Sequence, residues 1–332
     1  MMQQMLLGHG GGSSLDMSTL YATKVYTGNG STQSINNGLD LTTGEALVLI
    51  KRLTENDVQT DPTVFDTVQG ANKHHNTNRG NGLETTTDRL TSFNNNGFSL
   101  GSAEEINRSG KQLVSHTFKS EPTFFDIVSY TGNGTIGRTV SHNLGAEPGC
   151  IIWKNAGSLG FGWTVYHTGM GTNASAVLES DAAATSSVTN NTAPTSTQFT
   201  LSNSSRNNRN GDPIIAYLFA KDTANVIKCD SYTGNGTSQS INLGFEPQWL
   251  MIKETTDTGP WQVYDNVRTF DMSAGNGLPA GSRHSYIALN SSAAQVAAAT
   301  AVHFTSTGFD LGDSSRANTN SQNYIYVAIA AP

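Results

Sequence analysis

Charge is scarce in this chain. Of 332 residues, 19 are Lys or Arg and 26 are Asp or Glu, a charged share of 14% and a formal balance of −7. Soluble domains usually carry about 25%. So few cations give little attraction to phosphate, which excludes nucleic acid as a partner and argues against adsorption to an anionic membrane. Only two cysteines are present, Cys150 and Cys229. They supply no disulfide framework and no CxxC metal spacing, and are expected to be small buried residues that never meet. No apolar run is long enough to span a bilayer. Residues Met1–Ser14 have neither a basic n-region nor a sustained apolar stretch, so they are not a secretory signal. Serine-hydrolase, zinc-protease, P-loop, Ca-loop and dinucleotide-binding motifs are all missing. A non-enzymatic protein without cofactor, metal or membrane insertion is expected.

What is present is repetition. Tyr-Thr-Gly-Asn-Gly begins at Tyr26, Tyr130 and Tyr232, a spacing of about one small domain. Each string is followed, in order, by an apolar run ending in lysine (Lys51, Lys154, Lys253) and a shorter run (Thr63–Asp66, Trp163–His167, Trp261–Asp265). A Phe-x-Leu signature comes next (at Phe98, Phe199 and Phe309), and each repeat closes on a strand-like run (Leu113–Lys119, Ile214–Ala220, Tyr324–Ala330). The runs are short, rich in Val, Ile and aromatics, and bounded by Gly, Asn and Ser, which predicts strands. The fold class expected is all-β: three tandem homologous β-sandwich modules, of jelly-roll or Ig-like topology. Residues 1–20 read as a flexible segment that anchors the array on another protein chain, followed by modules at 21–122, 123–225 and 226–332. Asn-Gly within each repeated string predicts a tight hairpin turn with positive φ at both residues. That reading takes precedence over N-glycosylation at Asn29, Asn133 and Asn235.

The tryptophans occupy matching places. Trp153 and Trp249 lie in the apolar run, Trp163 and Trp261 at the start of the next. Core packing is expected of them in preference to a sugar-binding platform. Recognition is expected where the copies differ: the segments at Gly70–Gly82, Thr168–Asn173 and Ser273–His284, and the arginine-bearing loop after Phe-x-Leu. The candidates are His74, His75, Asn76, Arg79, Arg206, Arg209, Arg283 and His284, whose side chains hydrogen-bond neutral glycans and anionic groups alike. His74 and His75, adjacent on a strand, would point to opposite faces and make a poor metal clamp. For the arginines, packing over an aromatic or a carboxylate of their own module is an equal alternative.

The linked set Tyr-Thr-Gly-Asn-Gly, Asn143-Leu-Gly-Ala-Glu-Pro-Gly149, Gly244-Phe-Glu-Pro-Gln-Trp249, Phe65-Asp-Thr-Val-Gln-Gly-Ala-Asn-Lys73, Leu90–Gly101 and Phe124-Phe-Asp-Ile-Val128 resembles a repeat family of tailed-bacteriophage proteins, many of them marine, described as tail-fibre-like. The resemblance covers about residues 20–332. It implies a structural protein on the exterior of the virion, partnered by other virion proteins and by further copies of itself, with a host-surface glycan or protein as target. It carries over no catalytic residue. Two placements follow: a tail appendage acting as a receptor-binding adhesin, and a capsid decoration or head-fibre protein. A lectin-like polysaccharide-degrading enzyme, which would need a carboxylate pair in a groove, is the reading from another class.

Overall fold

The computed structural model describes residues 15–54, 60–157, 159–272, 278, 281–297, 302–313 and 316–332. The strands are β1 (Tyr21–Thr27), β2 (Gln33–Asn36), β3 (Ala46–Arg52), β4 (Thr63–Asp66), β5 (Lys73–Asn76), β6 (Glu84–Thr85), β7 (Leu90–Asn94), β8 (Gly97–Leu100) and β9 (Gln112–Lys119) in the first repeat. The second holds β10 (Phe125–Thr131), β11 (Arg138–Ser141), β12 (Pro148–Asn155), β13 (Trp163–His167), β14 (Ala174–Ser175), β15 (Thr185–Ser186), β16 (Gln198–Leu201) and β17 (Pro213–Ala220). The third holds β18 (Asp222–Thr223), β19 (Ile227–Thr233), β20 (Gln239–Asn242), β21 (Pro247–Glu254), β22 (Gln262–Met272), β23 (Gly281–Ala288), β24 (Val302–Thr305), β25 (Gly308–Leu311) and β26 (Asn323–Ala330). One α-helical turn, Glu104–Asn107, is present among the described residues. The protein is all-β.

Each repeat builds a main antiparallel sheet of the same order. The orders are β1-β9-β3-β4 continued by β5-β6, then β10-β17-β12-β13, then β19-β26-β21-β22 flanked by β18 and β23. A small sheet covers one face: β2-β8-β7, β11-β16 or β20-β25-β24. Registers agree as well as orders. Leu47 faces Phe118, Cys150 faces Phe219 and Trp249 faces Ile329; on the other side, the same three residues face Asp66, His167 and Asp265.

The central strands are buried on both faces because alternate side chains serve different cores. Val48 and Ile50 point to the small sheet of their own repeat, meeting Phe98 and Leu100. Leu47 and Leu49 point the other way, into a cluster shared with Trp163 and Phe219 of the second repeat and with Trp249, Met251 and Val327 of the third. The main sheets therefore pack on one another, and the repeats close into a ring with approximate threefold arrangement. A small apolar cavity of about 40 Å³ lies at its centre. Two sets of equivalent residues line it, Leu49, Ile152 and Met251, and Thr77, Leu178 and Leu289.

Two expectations change here. Within the segment expected to be a flexible anchor, Met17 and Leu20 are 2% and 6% exposed and belong to the shared core. Residues 1–14 lie outside the described residues. The cysteines expected never to meet are neighbours: Cys229 packs against Gly149, beside Cys150, and both thiols are free and buried.

Candidate functional site: the clamps and the junctions between repeats

The repeated string is a clamp and does not form a hairpin. It runs from the end of the first strand of one sheet to the start of a strand in another, so the strands on its two sides pair elsewhere. Only its second glycine has positive φ: Gly30 at 69°, Gly134 at 70°, Gly236 at 70°. Each string grips a buried asparagine that comes about 80 residues later, Asn107, Asn208 or Asn318, each 0% exposed. The asparagine oxygen accepts the backbone N–H of Asn29, Asn133 or Asn235, and its amide donates to the carbonyls of Gly101, Ser202 or Gly312. The tyrosine hydroxyl donates to the carbonyl just before that asparagine, at 2.7 Å from Tyr26, 2.6 Å from Tyr130 and 2.6 Å from Tyr232. The first glycine is required by close approach. A Cβ on Gly28, Gly132 or Gly234 would collide with the carbonyl of Arg108, Arg209 or Thr319. These asparagines were legible in the sequence only as members of a polar loop.

The junctions reach round the ring in sequence order from one equivalent position, the residue on β4, β13 or β22 that faces Leu47, Cys150 or Trp249. Asp66 of the first repeat accepts a 2.8 Å hydrogen bond from the Tyr217 hydroxyl of the second. His167 of the second lies 2.9 Å from the Tyr326 carbonyl of the third. Asp265 of the third lies 3.6 Å from His116 Nε2 of the first, and the Tyr21 hydroxyl holds His116 Nδ1 at 2.9 Å. Arg268 Nε donates to Asp265 at 2.6 Å. Burial works to raise the Asp265 carboxyl, yet the Arg268 charge and its hydrogen bonds hold it below its ordinary value. At Asp66 burial wins, and the carboxyl is raised. Burial pushes His116 down to about 3 and His167 to about 4, so both are neutral at pH 7.

The equivalent lysines point to backbone carbonyls. Lys253 Nζ donates to Asp181 of the second repeat at 3.0 Å, Lys51 to Ser291 of the third at 3.2 Å, and Lys154 to Phe161 at 2.8 Å. Burial lowers Lys154 and Lys253 to about 8. The expected burial of the aromatics holds: Trp163, Phe199, Trp261 and Phe309 are all 0–1% exposed. The indoles also cross junctions, Trp163 Nε1 donating to Asn76 of the first repeat and Trp261 Nε1 to Val177 of the second.

Most of the predicted recognition residues are therefore interior. His74, His75 and Asn76 lie in β5 and are 0%, 1% and 6% exposed. The two rings do point to opposite sides, His74 to Phe65 and Glu84, His75 to Trp163 and Gln69. Burial, the main cause, holds His74 at about 4 and His75 at about 3. Arg283 and His284 lie within β23, at 1% and 4% exposed, with His284 stacked on Phe304 at 3.9 Å. They are buried because neighbouring strands and the small sheet cover a segment that reads as a polar loop. Arg79 stays outward and pairs with Asp61. Arg206 binds Glu179 at 2.6 Å, and Arg209 binds Asp212 at 2.9 Å while lying over Phe161. For these two arginines the packing alternative holds. The eight candidates do not converge on one place. Among the described residues, no group of three or more His, Cys, Asp or Glu could hold a metal ion.

Two surface clefts lie at equivalent junctions. One of about 430 Å³ separates the first and second repeats, with Gln69 and Lys73 facing Tyr130, Ala156, Pro213 and Ile214. The other, about 480 Å³, separates the second and third, with Met170 and Ala174 facing Tyr232, Thr255, Asn323 and Tyr324. No signal in the sequence marks them, since each wall belongs to a different repeat.

Fold and junctions together define an all-β protein whose repeats interlock in a ring. Over residues 16–332 the chain matches the family described as Domain of unknown function (DUF7483), and it belongs to that family. No curated protein matches the chain.

Proposed function

We propose that this chain is a non-enzymatic structural protein on the exterior of a tailed-bacteriophage particle, a tail appendage that touches the host surface. The observation that carries the reading is the use of buried ionisable groups at the junctions. Asp66, His167, Asp265 and His116 all join one repeat to the next. Such a body is rigid, and its surface polarity comes mainly from Asn, Ser and Thr, which suits contact through neutral hydrogen bonds. The motif resemblance to tail-fibre-like proteins supplies the particle. Partners in this reading are other virion proteins, further copies of the chain and a host-surface glycan or protein.

A second placement, a capsid decoration or head-fibre protein, is favoured by one feature: a ring of approximate threefold arrangement matches the local threefold sites between capsid subunits. Gold-labelled antibody against the chain on intact particles separates the two. Label at the tail tip, with adsorption blocked by the purified protein, is expected. Label over the head moves the protein to the capsid, and label on neither removes the virion reading.

A further inference from the structure

We propose that the cleft between the second and third repeats binds a neutral saccharide. The assignment deepens the adhesin reading and rests on it for the biological source of the sugar. The cleft, at about 480 Å³, falls in the size range of small-ligand pockets, about 300–1,000 Å³. Among the described residues its walls carry no Asp, Glu, Lys, Arg or His, so an ionic ligand would lose hydration there without gaining a counter-charge. What the walls offer is the hydroxyls of Ser231, Thr233 and Thr255 and the amide of Asn323, beside the apolar surface of Met170 and Ala184. Thr233 and Thr255 give their protons to Asn323 and present acceptor oxygens, while the Ser231 hydroxyl and the Asn323 amide can donate. Donors and acceptors next to a small apolar patch match a sugar ring, which has hydroxyls at its edge and C–H groups on its faces.

The comparison with the sister cleft selects this one. By strand register, Thr255, Asn323 and Tyr324 correspond to Ala156, Pro213 and Ile214. Two side chains that hydrogen-bond, Thr255 and Asn323, are thus replaced by Ala156 and Pro213, which cannot; the Tyr324 hydroxyl is held inside by the Thr319 N–H and Glu254. The sister cleft also contains Lys73. Scaffold residues common to both, Ser231 with Ser129 and Thr233 with Thr131, do not distinguish them; the private polar set does. That set is also pre-formed. Thr233 Oγ1 donates to Asn323 Oδ1 at 2.9 Å, which fixes the side-chain amide with its oxygen turned to Thr233. Tyr232 is fixed by its hydroxyl on the Ala317 carbonyl and stacks on Tyr324 at 5.0 Å. Little side-chain ordering is then needed on binding.

The test is saturation-transfer NMR on the full chain with lactose, maltose, diacetylchitobiose and N-acetylneuraminic acid as probes. Transfer to at least one neutral disaccharide is expected, with a Kd on the order of 1 mM. Ala184→Trp, which fills the cleft, is expected to weaken it at least about tenfold, and Thr233→Val, which removes one hydroxyl, to weaken it about fivefold. Leu83→Trp in the sister cleft is expected to leave it unchanged. Thermal melts of the variants establish that each is folded; if Ala184→Trp is not, Thr233→Val decides. Three results would each overturn the assignment: no neutral sugar bound at about 20 mM, binding that survives in the folded variants, or a preference for N-acetylneuraminic acid. A protein found on the tail that binds none of the sugars loses the cleft assignment alone. One that binds sugar through this cleft but is not on a particle loses the virion reading alone.

Discussion

The clamps and the junctions do comparable work with opposite tolerance for residue identity. In the clamps, three repeats use the same tyrosine, the same glycines and the same buried asparagine, with the same donors and acceptors. At the junctions, equivalent positions hold Asp66, His167 and Asp265, and their partners are a phenol, a carbonyl and an imidazole. The reason is geometric. A clamp grips backbone at close approach, so only a glycine fits and only an asparagine offers both donor and acceptor at that reach. A junction needs only a filled volume and a partner for each buried polar atom, and several chemistries meet that need.

Acid should separate the two regions most strongly. His75, His116 and His167 are buried and held to about 3, 3 and 4. Their folded values lie below the unfolded value of about 6.5, so the unfolded chain binds more protons and stability falls as pH drops below that value. The loss is about 1.4 kcal/mol per pH unit for each histidine, continuing until its own folded value is reached. Urea unfolding at pH 7 and pH 4 should show a loss of several kcal/mol, with hydrogen exchange rising first at amides beside the junctions. A midpoint unchanged over that range would mean that the histidines are solvated and the ring is loosely closed.

Next in size is Trp261→Ala, which empties a fully buried site and removes the indole donor from the Val177 carbonyl. A loss of about 3–5 kcal/mol is expected in denaturant unfolding. Loss below about 1 kcal/mol would show that the second and third repeats do not depend on this contact for packing.

The clamps are sharpened by a matched trio. Asn107→Ala, Asn208→Ala and Asn318→Ala each remove a buried acceptor and donor, and about 2–4 kcal/mol is expected in each case. Agreement among the three to within about 1 kcal/mol would support equal work by the clamps. A spread as large as that among junction variants would erase the contrast.

Smallest is Tyr217→Phe, which takes one donor from the Asp66 carboxylate and should cost about 1–2 kcal/mol. Asp66→Asn in the same background should cost less than it does alone, because the two residues share one hydrogen bond. Strict additivity would place Asp66 with its backbone donors, the N–H groups of Gln69 and Val68.

The strands and the repeat order were legible because apolar alternation and turn residues are local signals. Asn-Gly in each string read as a hairpin turn, whereas the constraint on the glycine before it is a carbonyl about 80 residues away, which no local signal shows. His74, His75, Arg283 and His284 read as surface residues because their neighbours in sequence are polar. What buries them are strands distant in sequence and, for His75, the Trp163 ring of another repeat.

By itself, then, the sequence determined an all-β chain said three times over, with tyrosine, glycine and asparagine at set places, since period and turn chemistry act over a few residues. Only the tertiary structure decided that the main sheets share one core and that histidines join repeats instead of facing solvent. It also decided that the clefts open where two repeats meet. Burial and cleft shape depend on which surfaces come together, and that pairing is set by packing across the whole ring.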